Sequence, residues 1–213
     1  MTYFDVHTHH LPAICSNQTI VSFSIAYENI DKNATRISVG IHPWHLTEDN
    51  AETSLQALRM TLADKRVVAI GEAGLDRIHG CSLSTQTTIF RQEIALSEEY
   101  HLPMIIHCVH AFNELLQLKK EIHPSQSWII HGFRGKPNMA KELIRHGCYI
   151  SIGSKFQNES LHVIPLERMF IETDEAPENI TGIYRHIAET KGISVEELVE
   201  AINKNVQEVF FKR

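Results

Sequence analysis

The chain has 213 residues, with 20 Lys plus Arg, 26 Asp plus Glu and a formal net charge of −6; 43% of residues are hydrophobic and 22% charged. These proportions exclude a disordered chain, the length suits one domain over 1–213, and no apolar run approaches the roughly 18 residues that cross a bilayer. The charge opposes a chain that holds nucleic acid mainly by a basic surface, but not a phosphate substrate met through bound cations, and fourteen histidines raise the expectation of metal chemistry. Residues 1–6 have neither a basic nor an apolar leader pattern, so a cytoplasmic protein without membrane association is expected. Cys15, Cys81, Cys108 and Cys148 are scattered and read as reduced thiols.

Eight short apolar, β-branched runs follow one another along the chain: 3–6, 19–25, 36–41, 67–72, 104–107, 128–131, 149–153 and 169–173. Continuous rather than alternating apolarity predicts strands buried on both faces, as in a parallel sheet. After the third run, Leu55, Leu58 and Leu62 predict a helix over 50–64, and Ile89, Phe90 and Ile94 one over 84–101. Phe112, Leu115, Leu116 and Ile122 keep the same spacing, as do Met139, Leu143 and Ile144, between Pro137 at the start and Gly147 at the stop. Ile183, Tyr184 and Ile187 predict a helix over 180–191 capped by Gly192, and Ser194-Val195-Glu196-Glu197 is a capping box for the last one.

Strand alternating with helix predicts an α/β fold of the (β/α)8 TIM-barrel type. The barrel is shortened: the segments 6–18 and 26–35 are too short for a loop and a full crossover helix, so the first two crossovers are expected to lack one. Apolar strand surface around Val21, Phe23 and Ile25 then needs a cover. A folded-back loop, the C-terminal Val209-Phe210-Phe211 or a second subunit would serve, with a monomer as the expectation.

Reactive side chains of such a barrel gather at the C-terminal ends of its strands. The first strand is followed by Asp5-Val6-His7-Thr8-His9, the fourth ends at Glu72, the fifth at His107, the sixth at His131, and the eighth runs into Glu172-Thr173-Asp174. His-x-His puts both rings on one side of an extended chain, which suits a shared ion. That motif also arises by chance, and a lone Glu or His closing a strand also serves as a hydrogen-bonded rim residue. Convergence of them all is not met by those readings, because buried carboxylates without cations cost several kcal/mol each.

Seven motifs stand in a fixed order: Asp5-Val6-His7-Thr8-His9, Gly40-Ile41-His42-Pro43-Trp44, Gly71-Glu72-Ala73-Gly74-Leu75-Asp76, Ile105-Ile106-His107, His131-Gly132-Phe133-Arg134-Gly135, Tyr149-Ile150-Ser151-Ile152-Gly153 and Ile171-Glu172-Thr173-Asp174. In this order and spacing the sequence resembles the TatD-type metal-dependent hydrolases, amidohydrolase-like barrel enzymes described as deoxyribonucleases. The resemblance implies that His7, His9 and Asp174 hold one divalent ion, that His107 and His131 hold a second, and that Glu72 bridges them. It also places His42 near the substrate. Val109 and His110 stand where the family has Arg and Asp, which removes a phosphate contact; Arg134 and Arg77 are the candidate replacements, since a guanidinium grips phosphate bidentately. Glu175 is inserted before Ala176-Pro177.

The implied chemistry is hydrolysis of a phosphodiester by water activated between two ions, with Asp174 taking the water's proton and Glu72 fixing the ion spacing. DNA, as a single strand or frayed end, is the expected substrate. Imidazole-rich ligation favours Zn²⁺ or Mn²⁺, the family habit Mg²⁺. An amide, lactone or aminoacyl-ester hydrolase is the alternative, though a carbamylated lysine that would favour it is replaced on the fourth strand by Glu72. A metal-binding interaction module without catalysis is the other.

Overall fold

The computed structural model describes residues 1–12, 18–25 and 27–212. Eight strands are present among them: β1 (Asp5–Thr8), β2 (Thr19–Ser24), β3 (Ile37–Gly40), β4 (Val67–Asp76), β5 (Met104–Val109), β6 (Trp128–Ile130), β7 (Tyr149–Ile152) and β8 (Met169–Ile171). Each pairs in parallel with the next, in the order β1 to β8. Nearly every strand residue is buried, as continuous apolar runs require when one face fills the barrel and the other meets a surrounding layer.

The ring closes just beyond β8. Thr8 and Asp174 form a parallel bridge, the Asp174 amide donates to the His7 carbonyl at 2.9 Å, and the His9 amide donates to the Asp174 carbonyl at 3.3 Å. The Thr173 hydroxyl and amide donate to Asp5 at 2.7 and 3.1 Å, fastening the same seam. The two chain segments that carry the seam are therefore the ones that carry His7, His9 and Asp174.

Helices pack outside this ring. They are α1 (Ala51–Thr61), α2 (Leu83–Tyr100), α3 (Phe112–Ile122), α4 (Pro137–Arg145), α5 (Asn158–Val163), α6 (Ile180–Lys191) and α7 (Val195–Val206). Local signals set their ends: Gly192 caps α6 in the left-handed region, and the Ser194 hydroxyl accepts the Glu197 amide to start α7. No helix occurs among the described residues of the first two crossovers; residues 13–17, Cys15 included, and Ala26 lie outside them. Cys81, Cys108 and Cys148 are free thiols.

Several expected boundaries need correction. The first strand begins and ends two residues later than its apolar run. β4 does not stop at Glu72 but continues to Asp76, with Gly74 opposite His107 and Asp76 opposite Val109. Gly71 and Gly74 interrupt the apolar run, yet pairing persists because they admit the neighbouring strand: a methyl on Gly74 would lie 2.1 Å from the His107 carbonyl oxygen, at a φ of +145°. α5 and the 3₁₀ turn at Leu166–Arg168 were too short to leave a periodic trace. The C-terminal turn also has a different task from covering β2. Phe210 packs on Phe170, while Phe211 meets Phe4 and lies 4.1 Å beneath the Arg36 guanidinium, so both rings close the end of the barrel where strands begin. Val21, Phe23 and Ile25 are buried within the single chain.

Candidate metal centre

Three local features aim ligands at one point on the rim. Alternation along β1 turns His7 and His9 to the same side. A register shift between Ile70 and Ala73 re-aims Glu72 into the barrel, as bulges do beside active sites. Asp174 adopts a φ of +55°, a left-handed conformation that Asp tolerates better than most residues, and its carboxylate faces the His pair.

Glu72 stands at the middle, and its two oxygens serve different partners. Oε1 lies 2.7 Å from His107 Nδ1, 2.7 Å from His131 Nε2 and 2.9 Å from His42 Nε2. Oε2 lies 3.4 Å from His7 Nε2 and 3.3 Å from His9 Nε2, and those rings stand 3.7 and 3.8 Å from Asp174 Oδ1. The structure thus brings all six sequence-predicted ligand residues together. Ligand-type atoms lie close enough to share an ion in three overlapping groups, His7–His9–Glu72, His7–His131–Asp174 and His42–Glu72–His107.

Two of the imidazoles have carboxylates behind them. His107 Nε2 lies 3.0 Å from Asp76 Oδ2, the arrangement that orients a histidine toward a metal, and His131 Nδ1 faces Glu172 Oε1 at 3.6 Å, beyond hydrogen-bond reach. Asp76 also accepts the Trp44 indole N–H at 2.6 Å and the amides of Ile78 and His79. Burial would raise its carboxyl, but these donors hold it at about 2. Glu172 accepts the Gly132 amide at 2.5 Å. Sequence reasoning left both carboxylates without a role. The period-2 rule of extended chain was the available signal, since 72 and 76, and likewise 172 and 174, share a side.

His42 differs from the other rings. Its Nδ1 accepts the Trp44 amide at 3.1 Å, so in the neutral ring the proton sits on Nε2, the atom aimed at Glu72. A protonated Nε2 donates a hydrogen bond and does not ligate, which separates His42 from His107 despite their proximity.

The residues present fit divalent cations. Both nitrogens of buried His7, His131 Nδ1 and Glu172 Oε2 lack hydrogen-bond partners, a costly condition for a structural polar cluster. Burial opposes charge throughout, yet the mutual field wins: the His131 charge and three imidazole hydrogen bonds hold Glu72 well below the usual carboxylate range. Burial lowers His9 and His131, but Glu72 pulls both above the ordinary histidine value. The centre attracts positive charge.

A cavity of about 360 Å³ opens onto the cluster, lined by His9, Ser24, Tyr27, His42, Trp44 and Glu72 among others. A second, of about 390 Å³, shares Asp174 and Glu175 with it and is lined by Arg134 and Lys155. Arg77 is exposed and ion-paired with Glu114 on α3, leaving Arg134 as the nearer of the two arginines proposed for substrate. His45 and His79, which had no expected role, stand beside Tyr27 and Trp44 respectively. No helix among the described residues is long and apolar enough to cross a membrane.

The chain is similar to known proteins in sequence and in fold. The family model described as TatD related DNase matches residues 6–211. An uncharacterized metal-dependent hydrolase, YabD of Bacillus subtilis, is 31% identical over 191 residues, 78% of this chain and 75% of the relative. Human deoxyribonuclease TATDN3 is 29% identical over 202 residues, 82% of this chain and 73% of the relative. The crystal structure of YJJV, a TatD homologue from Escherichia coli, superposes with a TM-score of 0.77 at 22% identity, over 90% of this chain and 85% of that one. A TatD-family hydrolase from Entamoeba histolytica gives a TM-score of 0.78 at 22% identity, covering 92% and 85%.

Proposed function

The chain belongs to the TatD-related DNase family of metal-dependent hydrolases, and on that premise we propose that it is a phosphodiesterase acting on single-stranded or frayed DNA ends. In this reading 1–213 is one catalytic domain that works as a monomer. The observation that carries the proposal is the division of Glu72, one oxygen toward His107 and His131 and the other toward His7 and His9. His7, His9 and Asp174 would hold one divalent ion, His107 and His131 the other, with Glu72 shared. When bound, the ions supply Lewis acidity to a phosphoryl oxygen and lower the pKa of water.

The chain's own groups then have distinct tasks. The Asp174 carboxylate orients the attacking water and takes its proton as the phosphorus–oxygen bond to the leaving group breaks. Glu72 fixes the spacing of the two ligand sets. Asp76 orients His107 by a hydrogen bond, and the Glu172 carboxylate faces His131. His42, with its proton on Nε2, donates to a developing negative oxygen. Arg134 meets a substrate phosphate in place of the arginine that Val109 replaces. The name of the human relative, a deoxyribonuclease, favours DNA over other esters.

The test is to assay EDTA-treated and metal-reconstituted protein, with Mg²⁺, Mn²⁺ or Zn²⁺, on single-stranded DNA, an aminoacyl ester and a dipeptide. Metal-dependent release of nucleotides, with a raised Michaelis constant in Arg134→Ala, is expected. Hydrolysis of only the ester or the peptide would assign the centre to the other bond class, and no hydrolysis with metal bound would leave an interaction module.

A further inference from the structure

Six large apolar side chains remain exposed among the described residues, and four of them share one arc of the rim. Leu11 (41% exposed), Tyr27 (68%), Trp44 (51%) and Ile78 (59%) stand in the segments that follow β1, β2, β3 and β4, whereas Met1 and Met60 lie at the N-terminus and on α1. Scattered exposure of this kind is ordinary; exposure concentrated beside a metal centre is a binding feature.

The two aromatic rings are held in place. The Trp44 indole N–H is anchored on Asp76 at 2.6 Å, and its ring meets His42, His79 and His107 edge-on at centroid distances of 5.1, 5.1 and 5.7 Å. Tyr27 stacks on His45 at 3.6 Å with the planes only 12° apart, and His45 Nδ1 is bonded to the Ser24 hydroxyl at 2.7 Å. Tyr27, His45 and Trp44 line the same cavity as Glu72. Arg134 and Lys155 line the neighbouring one, across Asp174. The mouth of the centre therefore has an aromatic side and a side where Arg134 and Lys155 stand among the carboxylates of Asp174, Glu175 and Glu178.

We propose that Trp44 and the Tyr27–His45 pair are nucleobase platforms, on which unpaired bases next to the scissile phosphate stack while the backbone runs toward Arg134 and Lys155. The inference rests on the phosphodiesterase reading and adds to it the side chains that hold the bases of a single strand, without strong sequence preference. Every base has a π-face, so stacking tolerates any sequence, whereas a paired duplex keeps those faces hidden. Rings fixed in advance lose little freedom when a base arrives, and their continuity with the metal cavity favours the substrate itself as occupant.

The two tryptophans make the idea directly measurable, because Trp44 is exposed and Trp128 fully buried. Metal-loaded protein is mixed in a stopped flow with oligothymidylate, or with an oligomer of equal length built of base-free sugar phosphates, and tryptophan emission is read before turnover. Oligothymidylate should quench the emission and the base-free oligomer should not, with the quench absent in Trp44→Phe. The ratio of kcat/KM for the base-bearing over the base-free polymer should fall by about fivefold or more in Tyr27→Ala and in Trp44→Ala. Equal quenching by both polymers, or a ratio that survives both substitutions, overturns the proposal. So does self-association that Trp44→Ala abolishes without any response to bases, which would assign the patch to a second copy. Quenching by oligothymidylate without any hydrolysis supports the platform and removes the phosphodiesterase reading; hydrolysis of both polymers at equal rates does the reverse.

Discussion

Asp76 shows how much of this centre lies one layer behind its ligands. A single carboxylate receives the Trp44 indole, His107 Nε2 and two backbone amides, so it fixes a metal-facing imidazole and a rim aromatic together. Asp76→Asn sets an amide N–H against one of these donors and leaves His107 free to rotate. Loss of such an outer partner typically lowers metal affinity 10–100-fold, and a chelator-competition titration should read a loss of about that size. Unchanged affinity would show that His107 needs no orienting group. That the six candidate ligand residues meet at one point was legible in the sequence because each falls at or near the end of an apolar run. Asp76, Glu172, Trp44 and Tyr27 were not assigned, since their roles exist only through neighbours brought from other strands.

At the scale of elements, the site depends on how closely β4 and β5 approach. Gly74→Ala would force a methyl against the His107 carbonyl in a backbone region that side chains avoid. A loss of about 1–3 kcal/mol in denaturant unfolding is expected, as for other overpacked sites, together with weakened metal retention; a variant of native stability would contradict the close packing described. The third rim loop has its own support from α2. Glu93 is fully buried and accepts the amide of Ile41, the neighbour of His42, at 2.8 Å. Burial pushes its carboxyl well above the ordinary value, and the single amide bond offsets this only in part. The folded state therefore binds a proton that the unfolded state releases. Its stabilisation is complete below the unfolded value near 4.5 and is lost as pH rises through the folded one. The Tm of Glu93→Gln should gain on the native chain as pH rises; a pH-independent difference would contradict a protonated Glu93. Helices were legible by their apolar stripes and caps, Ser194 and Gly192 above all. The true lengths of β4 and β5 were not, because glycines and histidines end an apolar run without ending the pairing.

For the whole molecule, the shortened barrel places ring closure and the candidate ligands on the same residues. Asp174 completes the β1–β8 seam through its backbone and joins the candidate metal cluster through its side chain. The opposite end is closed by Phe210 and Phe211, so the metal rim and the hydrophobic plug lie at opposite ends of the barrel. Eight strands in barrel order were readable from the apolar runs, whereas the position of the plug was not, since nothing local in Val209-Phe210-Phe211 says which end it fills. In the proposed mechanism Glu72 would share its two oxygens between two cations. Metal content per chain after reconstitution and dialysis, by mass spectrometry, tests it most directly. Two divalent ions per native chain, falling to one or none in Glu72→Ala, is the result predicted; a native chain that retains no ion, or a content that Glu72→Ala leaves unchanged, would contradict it.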